Sequence, residues 1–257
     1  MLLAVDSGNT NIVFALFDNE LIKGVWRFST DINRTADELG IWLDQLLSMK
    51  NISRQQVKAC IIASVVPTVL FSLKQLCFYY FGCEALVVGD KDVDLGIKVL
   101  VDYPHEVGAD RLVNSVAAYS DYTGPLIVID FGTATTFDVV DIEGNYCGGV
   151  IAPGINLSLQ TLHTTAAKLP CVAICRPETV IGKTTESAMQ SGIYWGYVGL
   201  IENIIKRIKY EFGSSMSVVA TGGLASLFTK ASSTIDHIDL NLTLRGLSKI
   251  YRLNSSI

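Results

Sequence analysis

The 257-residue chain is long enough for one large domain or two small ones. Hydrophobic residues make up 49% of it and charged residues 18%, which excludes a disordered protein and provides a substantial core. The formal net charge of -5 argues against nucleic acid as the main partner, because binding a phosphate backbone requires a basic surface. A phosphate-bearing small molecule is still compatible with this charge, since backbone N–H groups and a metal ion can supply positive charge.

The N-terminus and the cysteines both favour a cytoplasmic protein. Residues 1–10 begin apolar but lack a basic region, and Asp6 interrupts them, so they predict a β-strand and not a signal peptide. No run approaches the roughly 18 uninterrupted apolar residues of a membrane span, and we expect no membrane partner. The six cysteines are scattered without the spacing of a zinc site, which favours reduced thiols.

The first half of the chain predicts an antiparallel meander of three strands followed by alternating helices and strands. Apolar residues recur at helical spacing between 35 and 49, and Pro67 is well placed to open a second helix. Runs of apolar and β-branched residues bounded by turn residues are typical of strands. Such strands are predicted at 2–5, 11–17, 21–28, 58–63 and 85–88.

The same order of elements begins again roughly 124 residues further on. Strands are predicted at 125–130, 136–141, 145–151 and 216–220, and helices at 153–167, 184–212 and 242–253. Because the order strand, Asp-x-Gly turn, strand, strand occurs twice, the sequence predicts a duplicated mixed α/β domain whose halves face each other across a cleft. With Gly124-Pro125 near the boundary, the predicted domains are 1–117 and 118–257.

The strongest local signal is the turn after the first strand, residues 6–11, with the sequence Asp-Ser-Gly-Asn-Thr-Asn. A glycine in a tight turn lets the backbone approach a phosphate and point successive N–H groups at its oxygens. The Asp6 carboxylate repels phosphate, so its expected task is to hold Mg²⁺, directly or through water. An ordinary hairpin whose Asp caps the turn is the alternative interpretation.

Two segments of the second half extend this pattern. Residues 130–136 (Asp-Phe-Gly-Thr-Ala-Thr-Thr) repeat the hairpin, and two such turns in a duplicated fold indicate a phosphate and metal site rather than two structural turns. Residues 220–225 follow an apolar strand and precede a helix, and paired Gly222 and Gly223 leave room for a flat ligand such as adenosine. Taken alone, a strand–Gly-Gly–helix junction is common.

These three elements, in this order, resemble the phosphate and adenosine motifs of the acetate and sugar kinase, heat-shock cognate and actin superfamily. Four further segments resemble the type III pantothenate kinase family, and the resemblance runs from residue 1 to about 230. They are 108–111 (Gly-Ala-Asp-Arg), 148–154 (Gly-Gly-Val-Ile-Ala-Pro-Gly), 167–170 (Ala-Lys-Leu-Pro) and 182–192 (Gly-Lys-Thr-Thr-Glu-Ser-Ala-Met-Gln-Ser-Gly). The resemblance implies an α/β fold of duplicated actin-like (ribonuclease H-like) domains, each a mixed five-stranded sheet with flanking helices.

The same resemblance implies ATP-dependent phosphorylation of pantothenate to 4′-phosphopantothenate, the first step of coenzyme A biosynthesis. It implies ATP, Mg²⁺ and a monovalent cation, K⁺ or NH₄⁺, as cofactors, and Asp110 as the catalytic proton acceptor. The implied ATP-binding residues are Asp6, Ser7, Gly8, Asn9, Thr10, Asn11, Ile12, Val13 and Thr133. The implied pantothenate-binding residues are Gly108, Ala109, Asp110, Arg111 and Thr185, and the implied metal-binding residues are Asp130 and Asp6.

The residues around Asp110 are compatible with the implied role of this residue as the proton acceptor. Asp110 lies in the first turn of a predicted helix, where the helix dipole and N–H groups are expected to hold it ionised, as a general base must be. Arg111 can bind an anionic substrate group as a planar fork. A plain helix start with an Asp–Arg pair is the alternative, and the Thr185 hydroxyl could equally be the N-cap of the helix at 184–212.

The helix at 184–212 also carries Gly192, Gly196 and Gly199 along an otherwise apolar surface, which permits close approach of another helix. The family resemblance implies a homodimer in which both subunits contribute to each substrate pocket. Two other functions are compatible with the fold: a nucleotide-binding regulator without turnover, and another kinase or phosphatase such as an acetate or sugar kinase. Intact Asp6, Asp110 and Asp130 argue against the first, and the Gly-x-Asp-Arg and Gly-Lys-x-Thr pairing argues against the second.

Overall fold

A computed structural model of the chain describes residues 1–165, 169–228 and 232–255. The chain forms two compact units, one of Met1–Ala117 with Asn241–Ile257 and one of Ala118–Leu240. Each unit contains one mixed five-stranded sheet with helices, which confirms the predicted fold class. Over the ranges described, no helix combines the length and the apolar character that a membrane crossing requires.

The sheet of the first unit has the strand order β3-β2-β1-β4-β5. Its strands are β1 (Leu2–Ser7), β2 (Asn11–Asp18), β3 (Leu21–Ser29), β4 (Ala59–Ser64) and β5 (Ala85–Val87). The first three form the predicted antiparallel meander, whereas β4 runs parallel to β1 and β5 runs parallel to β4. In this register Ser7 lies opposite Ser64, so the carboxyl ends of β1 and β4 meet at one edge of the sheet.

Helices cover both faces of this sheet because β1 is apolar on both sides. Leu3 and Val5 pack in a core with the helices α1 (Ala36–Ser48) and α2 (Pro67–Phe81), while Leu2 and Ala4 pack on the opposite face with α3 (Ala109–Asp121). Two short 3-10 helices, Arg54–Gln56 and Pro104–Glu106, lie in the connections.

The sheet of the second unit has the order β10-β9-β6-β7-β8, which repeats the topology of the first. Its strands are β6 (Leu126–Phe131), β7 (Ala134–Val140), β8 (Tyr146–Pro153), β9 (Ser217–Thr221) and β10 (His237–Ile238), and its helices are α4 (Ile155–Thr165), α5 (Thr185–Phe212) and α6 (Ala225–Phe228). The central strand β6 is antiparallel to β7 and parallel to β9, just as β1 is to β2 and β4. This repeated topology is the structural form of the duplication that the sequence predicts.

The last helix, α7 (Leu242–Ser255), belongs to the first unit. Its buried residues Leu244, Leu247 and Ile250 join Leu2 and Ala4 of β1 in one apolar cluster. The division drawn from the sequence placed this helix in a second domain of residues 118–257. An amphipathic pattern identifies a helix but not the sheet that it covers, and here the apolar face of α7 matches the first sheet.

Candidate active site

The loop between β1 and β2 is held by backbone and side-chain hydrogen bonds. The N–H of Gly8 donates to the Asn11 carbonyl at 3.0 Å, and Thr30 Oγ1 donates to the Gly8 carbonyl at 2.7 Å. Gly8 is outside the left-handed region, and an added Cβ would lie 3.4 Å from the Asn11 carbonyl oxygen. The loop conformation itself therefore does not require glycine, and the expected role of Gly8, close approach of the backbone to a phosphate, stays a prediction. Asn9 and Thr10 are exposed at the tip.

Ser7 is an unusual group at the base of this loop. It is 1% exposed, and its Oγ has no hydrogen-bond partner among the described residues. A buried hydroxyl without a partner costs about 1–3 kcal/mol, so such groups call for an explanation, and a bound ligand is one of them. Ser7 directly follows the half-buried Asp6 at the carboxyl end of the central strand.

Asp110 lies at the same edge of the first sheet as this loop. The Arg111 N–H donates to Asp110 Oδ1 at 2.8 Å. A Cβ added to Gly108 would lie 2.6 Å from the same oxygen and 3.5 Å from Val65 Cγ1, so the carboxylate folds over Gly108 beside Val65. Val65 directly follows β4 and donates its N–H to the Ser7 carbonyl at 3.0 Å. The structure therefore brings together two predicted motifs, residues 6–11 and 108–111.

Burial raises the pKa of Asp110 above its ordinary value, and the N–H and charge of Arg111 oppose this effect only in part. Desolvation therefore outweighs the N–H groups of the helix start in setting the direction of the pKa shift, and the ionised state of Asp110 stays a prediction. A raised pKa makes the carboxylate a stronger base, which suits a group that accepts a proton from an alcohol.

The hairpin between β6 and β7 repeats the arrangement in the second unit. Asp130 lies at the end of β6, opposite Thr136 of β7 and Thr221 of β9. The Gly154 N–H donates to the Thr133 carbonyl at 3.1 Å, and a Cβ at Gly154 would lie 2.2 Å from that oxygen. Only glycine lets the chain after β8 pass this close to the hairpin. Thr133 itself is exposed.

The Gly-Gly motif after β9 lies against the same hairpin. Gly222 has a φ of +89°, and an added Cβ would lie 2.6 Å from Asp130 Oδ1 and 2.7 Å from the Phe131 N. Gly223 has open space at the corresponding position. Two motifs that the sequence separates, the second hairpin and residues 220–225, are thus adjacent in the second unit.

Two polar contacts beside this hairpin were missed by sequence reasoning. Asp138 is completely buried and accepts hydrogen bonds from Tyr146 OH at 3.0 Å and Thr136 Oγ1 at 3.1 Å. Thr135, also buried, shares a hydrogen bond with the hydroxyl of Tyr197 on α5. The strand period places Thr136 and Asp138 on one face, but nothing in the spacing reveals partners on other elements.

The start of α5 corrects the alternative reading of Thr185. The N-cap is Thr184, whose Oγ1 accepts the Ser187 N–H at 3.1 Å while Ser187 Oγ accepts the Thr184 N–H at 3.0 Å. Thr185 is therefore the first helical residue, with an exposed side chain. Gly182 packs on this turn, since a Cβ there would lie 2.3 Å from the Ala188 N. In the motif at 167–170, residues 167 and 168 lie outside the described residues.

The carboxylates suit a magnesium–phosphate complex better than a protein-enclosed metal. Across residues 1–165, 169–228 and 232–255, no group of three or more His, Cys, Asp or Glu side chains could hold a metal ion. Mg²⁺ in kinases is usually bound by one or two carboxylates and by substrate phosphates, so such a group is not required. Asp6 in the first unit and Asp130 in the second each place one carboxylate at the end of a central strand, and a carboxylate oxygen is a suitable ligand for a hard cation.

Comparison with known proteins agrees with this geometry. The family model for type III pantothenate kinase matches residues 2–207. The chain is 66% identical over 256 residues to the type III pantothenate kinase of Paramagnetospirillum magneticum, covering 100% of this chain and 98% of that protein. It is 63% identical over 254 residues to the protein of the same description from Rhodospirillum rubrum, covering 99% of both.

Solved structures with low sequence identity share the fold. A protein of Campylobacter jejuni, provisionally assigned to the Baf family of transcriptional activators, superposes with a TM-score of 0.62 at 19% identity and covers 99% of this chain and 100% of its own. The ethanolamine utilization protein EutJ of Carboxydothermus hydrogenoformans gives a TM-score of 0.56 at 15% identity, covering 96% and 88%. Two copies of one sheet topology, each with an Asp-x-Gly hairpin after its central strand, define a protein with an actin-like fold. Within that class, the chain belongs to the type III pantothenate kinase family.

Proposed function

We propose that the protein transfers the γ-phosphoryl group of ATP to pantothenate, giving 4′-phosphopantothenate and ADP in the first step of coenzyme A biosynthesis. Full-length identity of 66% to a type III pantothenate kinase supports this activity. The structural observation that carries it is the position of Asp110. Its carboxylate folds over Gly108 beside Val65, and the Val65 N–H donates a hydrogen bond to the Ser7 carbonyl at the base of the β1–β2 loop.

Residues 6–13 are proposed to bind the ATP phosphates, and Thr133 is proposed to contact ATP as well. Support comes from Ser7, because a phosphate oxygen would provide the acceptor that its buried hydroxyl lacks among the described residues. Asp6 is proposed to hold Mg²⁺, and Asp130 to hold K⁺ or NH₄⁺. Bound cations would neutralise charge on the phosphates, which is the main electrostatic requirement of phosphoryl transfer.

Asp110 is proposed to orient the acceptor hydroxyl of pantothenate and to take its proton. Phosphoryl transfer passes through a loose transition state, so the proton leaves late, and positioning matters more than base strength. Gly108, Ala109, Arg111 and Thr185 are proposed to contact pantothenate. The Arg111 guanidinium suits an anionic group of the substrate, and the exposed Thr185 hydroxyl, which does not cap α5, suits a polar one.

A cytoplasmic homodimer that associates through α5 is also proposed. Gly192, Gly196 and Gly199 are exposed on one stripe of this helix, and a Cβ added to any of them would meet nothing within 4 Å. Each interior glycine costs a helix about 1 kcal/mol relative to alanine, so three of them call for compensation. Close packing against the same helix of a second copy would provide it.

The decisive experiment is an assay with purified protein, ATP, Mg²⁺ and pantothenate, with and without K⁺, and mass-spectrometric detection of the product. We expect 4′-phosphopantothenate, more of it with K⁺, and little from the Asp110→Asn variant. Parallel reactions with acetate and glucose test the other kinase activities compatible with the fold. ATP binding without any phosphorylated product would instead support the non-catalytic regulator.

A further inference from the structure

Three of the six cysteines lie together in the first unit, at a distance from the β1–β2 loop. Cys60 is the second residue of β4, paired with Leu3, whereas the loop adjoins the other end of that strand. Cys77 lies in α2, and Cys83 follows that helix. The Sγ atoms of Cys60 and Cys83 are 3.4 Å apart and share a hydrogen bond, and the Cys83 N–H donates to the Cys77 carbonyl at 3.3 Å.

The thiols of Cys60 and Cys83 differ in exposure and in acidity. Cys60 is 1% exposed, whereas Cys83 is only partly buried. Hydrogen bonds with Cys77 and Cys83, together with burial, raise the pKa of Cys60, while the hydrogen bond with Cys60 lowers the pKa of Cys83. Because the thiolate is the nucleophile, Cys83 is the thiol of this pair that an oxidant meets first.

The backbone around Cys83 allows the two sulfur atoms to approach. Gly82 ends α2 in the left-handed conformation with a φ of 66°, is exposed, and has open space around it. Cys83 therefore lies in a short exposed connection between α2 and β5, not inside a helix or strand. A disulfide bond of about 2.0 Å requires the sulfur atoms to move about 1.4 Å closer than the observed 3.4 Å.

We propose that Cys83 and Cys60 are a peroxide-reactive pair that closes to an intramolecular disulfide. The Cys83 thiolate attacks one oxygen of hydrogen peroxide, the O–O bond breaks, and the leaving hydroxide takes a proton to become water. Cys60 then gives its proton to the hydroxyl group of the resulting Cys83 sulfenic acid, and its thiolate attacks the Cys83 sulfur as that group leaves as a second water. Two thiols are oxidised, one peroxide is reduced, and the protein loses two hydrogen atoms.

The test treats the folded full-length protein with hydrogen peroxide, blocks remaining thiols with N-ethylmaleimide, and maps disulfides by mass spectrometry without reduction. The parent is the Cys171→Ser/Cys175→Ser variant, because these two cysteines are exposed and would react independently. We expect the parent to lose two hydrogen atoms, to contain a Cys60–Cys83 cross-link, and to regain both thiols with dithiothreitol.

Matched variants separate the two steps. Cys83→Ser, at an exposed connection, should remove the cross-link and leave Cys60 reduced. Cys60→Ala should leave a sulfenic acid at Cys83 that dimedone captures. A cross-link between Cys60 and Cys77, or oxygen addition at Cys83 of the parent without any cross-link to Cys60, would overturn the proposal. Mapping of the parent decides this even where the buried Cys60→Ala change impairs folding.

Discussion

Gly222 lies so close to the Asp130 carboxylate that no residue with a side chain fits at position 222. A Cβ at position 222 would lie 2.6 Å from Asp130 Oδ1, and the backbone φ of +89° is one that L side chains rarely adopt. The neighbouring Gly223 has neither constraint, because its added Cβ would meet nothing within 4 Å and its φ is outside the left-handed region. This difference separates a glycine needed by the fold from one available to a ligand.

We therefore expect Gly222→Ala to destabilise the protein by at least about 1 kcal/mol and to reduce activity, since both strain and displacement of Asp130 follow from it. Gly223→Ala should leave the free energy of unfolding within about 0.5 kcal/mol of the wild-type value but should raise the KM for ATP. Urea denaturation and steady-state kinetics on both variants check this. Equal stability of the two variants would contradict the close contact at Gly222.

Asp110→Asn is expected to lower kcat by about 10²–10⁴, with a smaller change in the KM for ATP, because an amide orients the hydroxyl but does not accept its proton. The acid limb of kcat/KM in the wild type should lie above the ordinary range for aspartate, since burial raises the pKa of Asp110. Near-normal turnover of Asp110→Asn would remove Asp110 from the proposed role.

The same substitution should stabilise the protein at neutral pH. The pKa of Asp110 is raised in the folded state, so its ionisation opposes folding as pH rises from the unfolded-state pKa through the folded-state pKa. Below both pKa values the carboxyl is protonated in either state, and this penalty disappears. Thermal unfolding of wild type and Asp110→Asn should thus show the variant more stable at pH 7, with a difference that shrinks in acid. If the variant were less stable than the wild type at pH 7, the interactions of the Asp110 carboxylate in the folded protein would outweigh the cost of burying its charge.

Much of the fold follows from local sequence patterns, and its exceptions have physical causes. The turn residues and apolar runs of the first half predict β1 to β5 to within a few residues. Strand β10 is not predicted because it has only two residues, both exposed. Helix α6 is not predicted because it has only four residues, which is too short for a helical pattern. The helix α7 is predicted, yet its place on the first sheet depends on packing between distant parts of the chain.

The site shows the same division between local and tertiary information. The Asp-x-Gly pattern predicts both hairpins, since a turn after a strand is a local property. The raised pKa of Asp110 and the hydrogen bonds of Asp138 depend on burial, which no short segment encodes. Ser7 shows both kinds of information. The local sequence predicts its position at the base of the loop, but only the folded structure shows that its buried hydroxyl has no hydrogen-bond partner among the described residues.

The exposed glycine stripe of α5 gives a prediction for association. Gly196→Leu should convert the proposed homodimer to a monomer in sedimentation velocity, because a side chain there would separate the two helices. The helix of the separate subunit should become more stable, by up to about 1 kcal/mol, since leucine favours helix over glycine. Glu211→Leu, an exposed change near the end of the same helix, is the control and should remain dimeric. A wild-type monomer with full activity would contradict the dimer itself.

The turn between β7 and β8 predicts a loss of stability in acid. Asp141 accepts hydrogen bonds from the Glu143 N–H at 3.0 Å and from the Asn145 N–H and Nδ2, each at 2.8 Å. Burial acts to raise the pKa of Asp141, but the hydrogen bonds from Asn145, the Cys147 thiol and the Glu143 N–H together outweigh it and lower the pKa below its ordinary value. The charged form is therefore the one that stabilises the turn.

Asp141→Ala is expected to cost about 1 kcal/mol at pH 7, measured by urea denaturation, because solvent reaches the carboxylate and weakens its hydrogen bonds. Because the folded-state pKa is lowered, this stabilisation is present above the unfolded-state pKa and is lost as pH falls through the folded-state pKa. The difference in the free energy of unfolding between wild type and variant should accordingly shrink in acid, whereas a simple packing defect would give a difference that does not change with pH. Glu143→Gln is the matched control, since Asp141 is contacted by the backbone N–H of Glu143. A difference that stays constant with pH would show that the charge of Asp141 does not stabilise the turn.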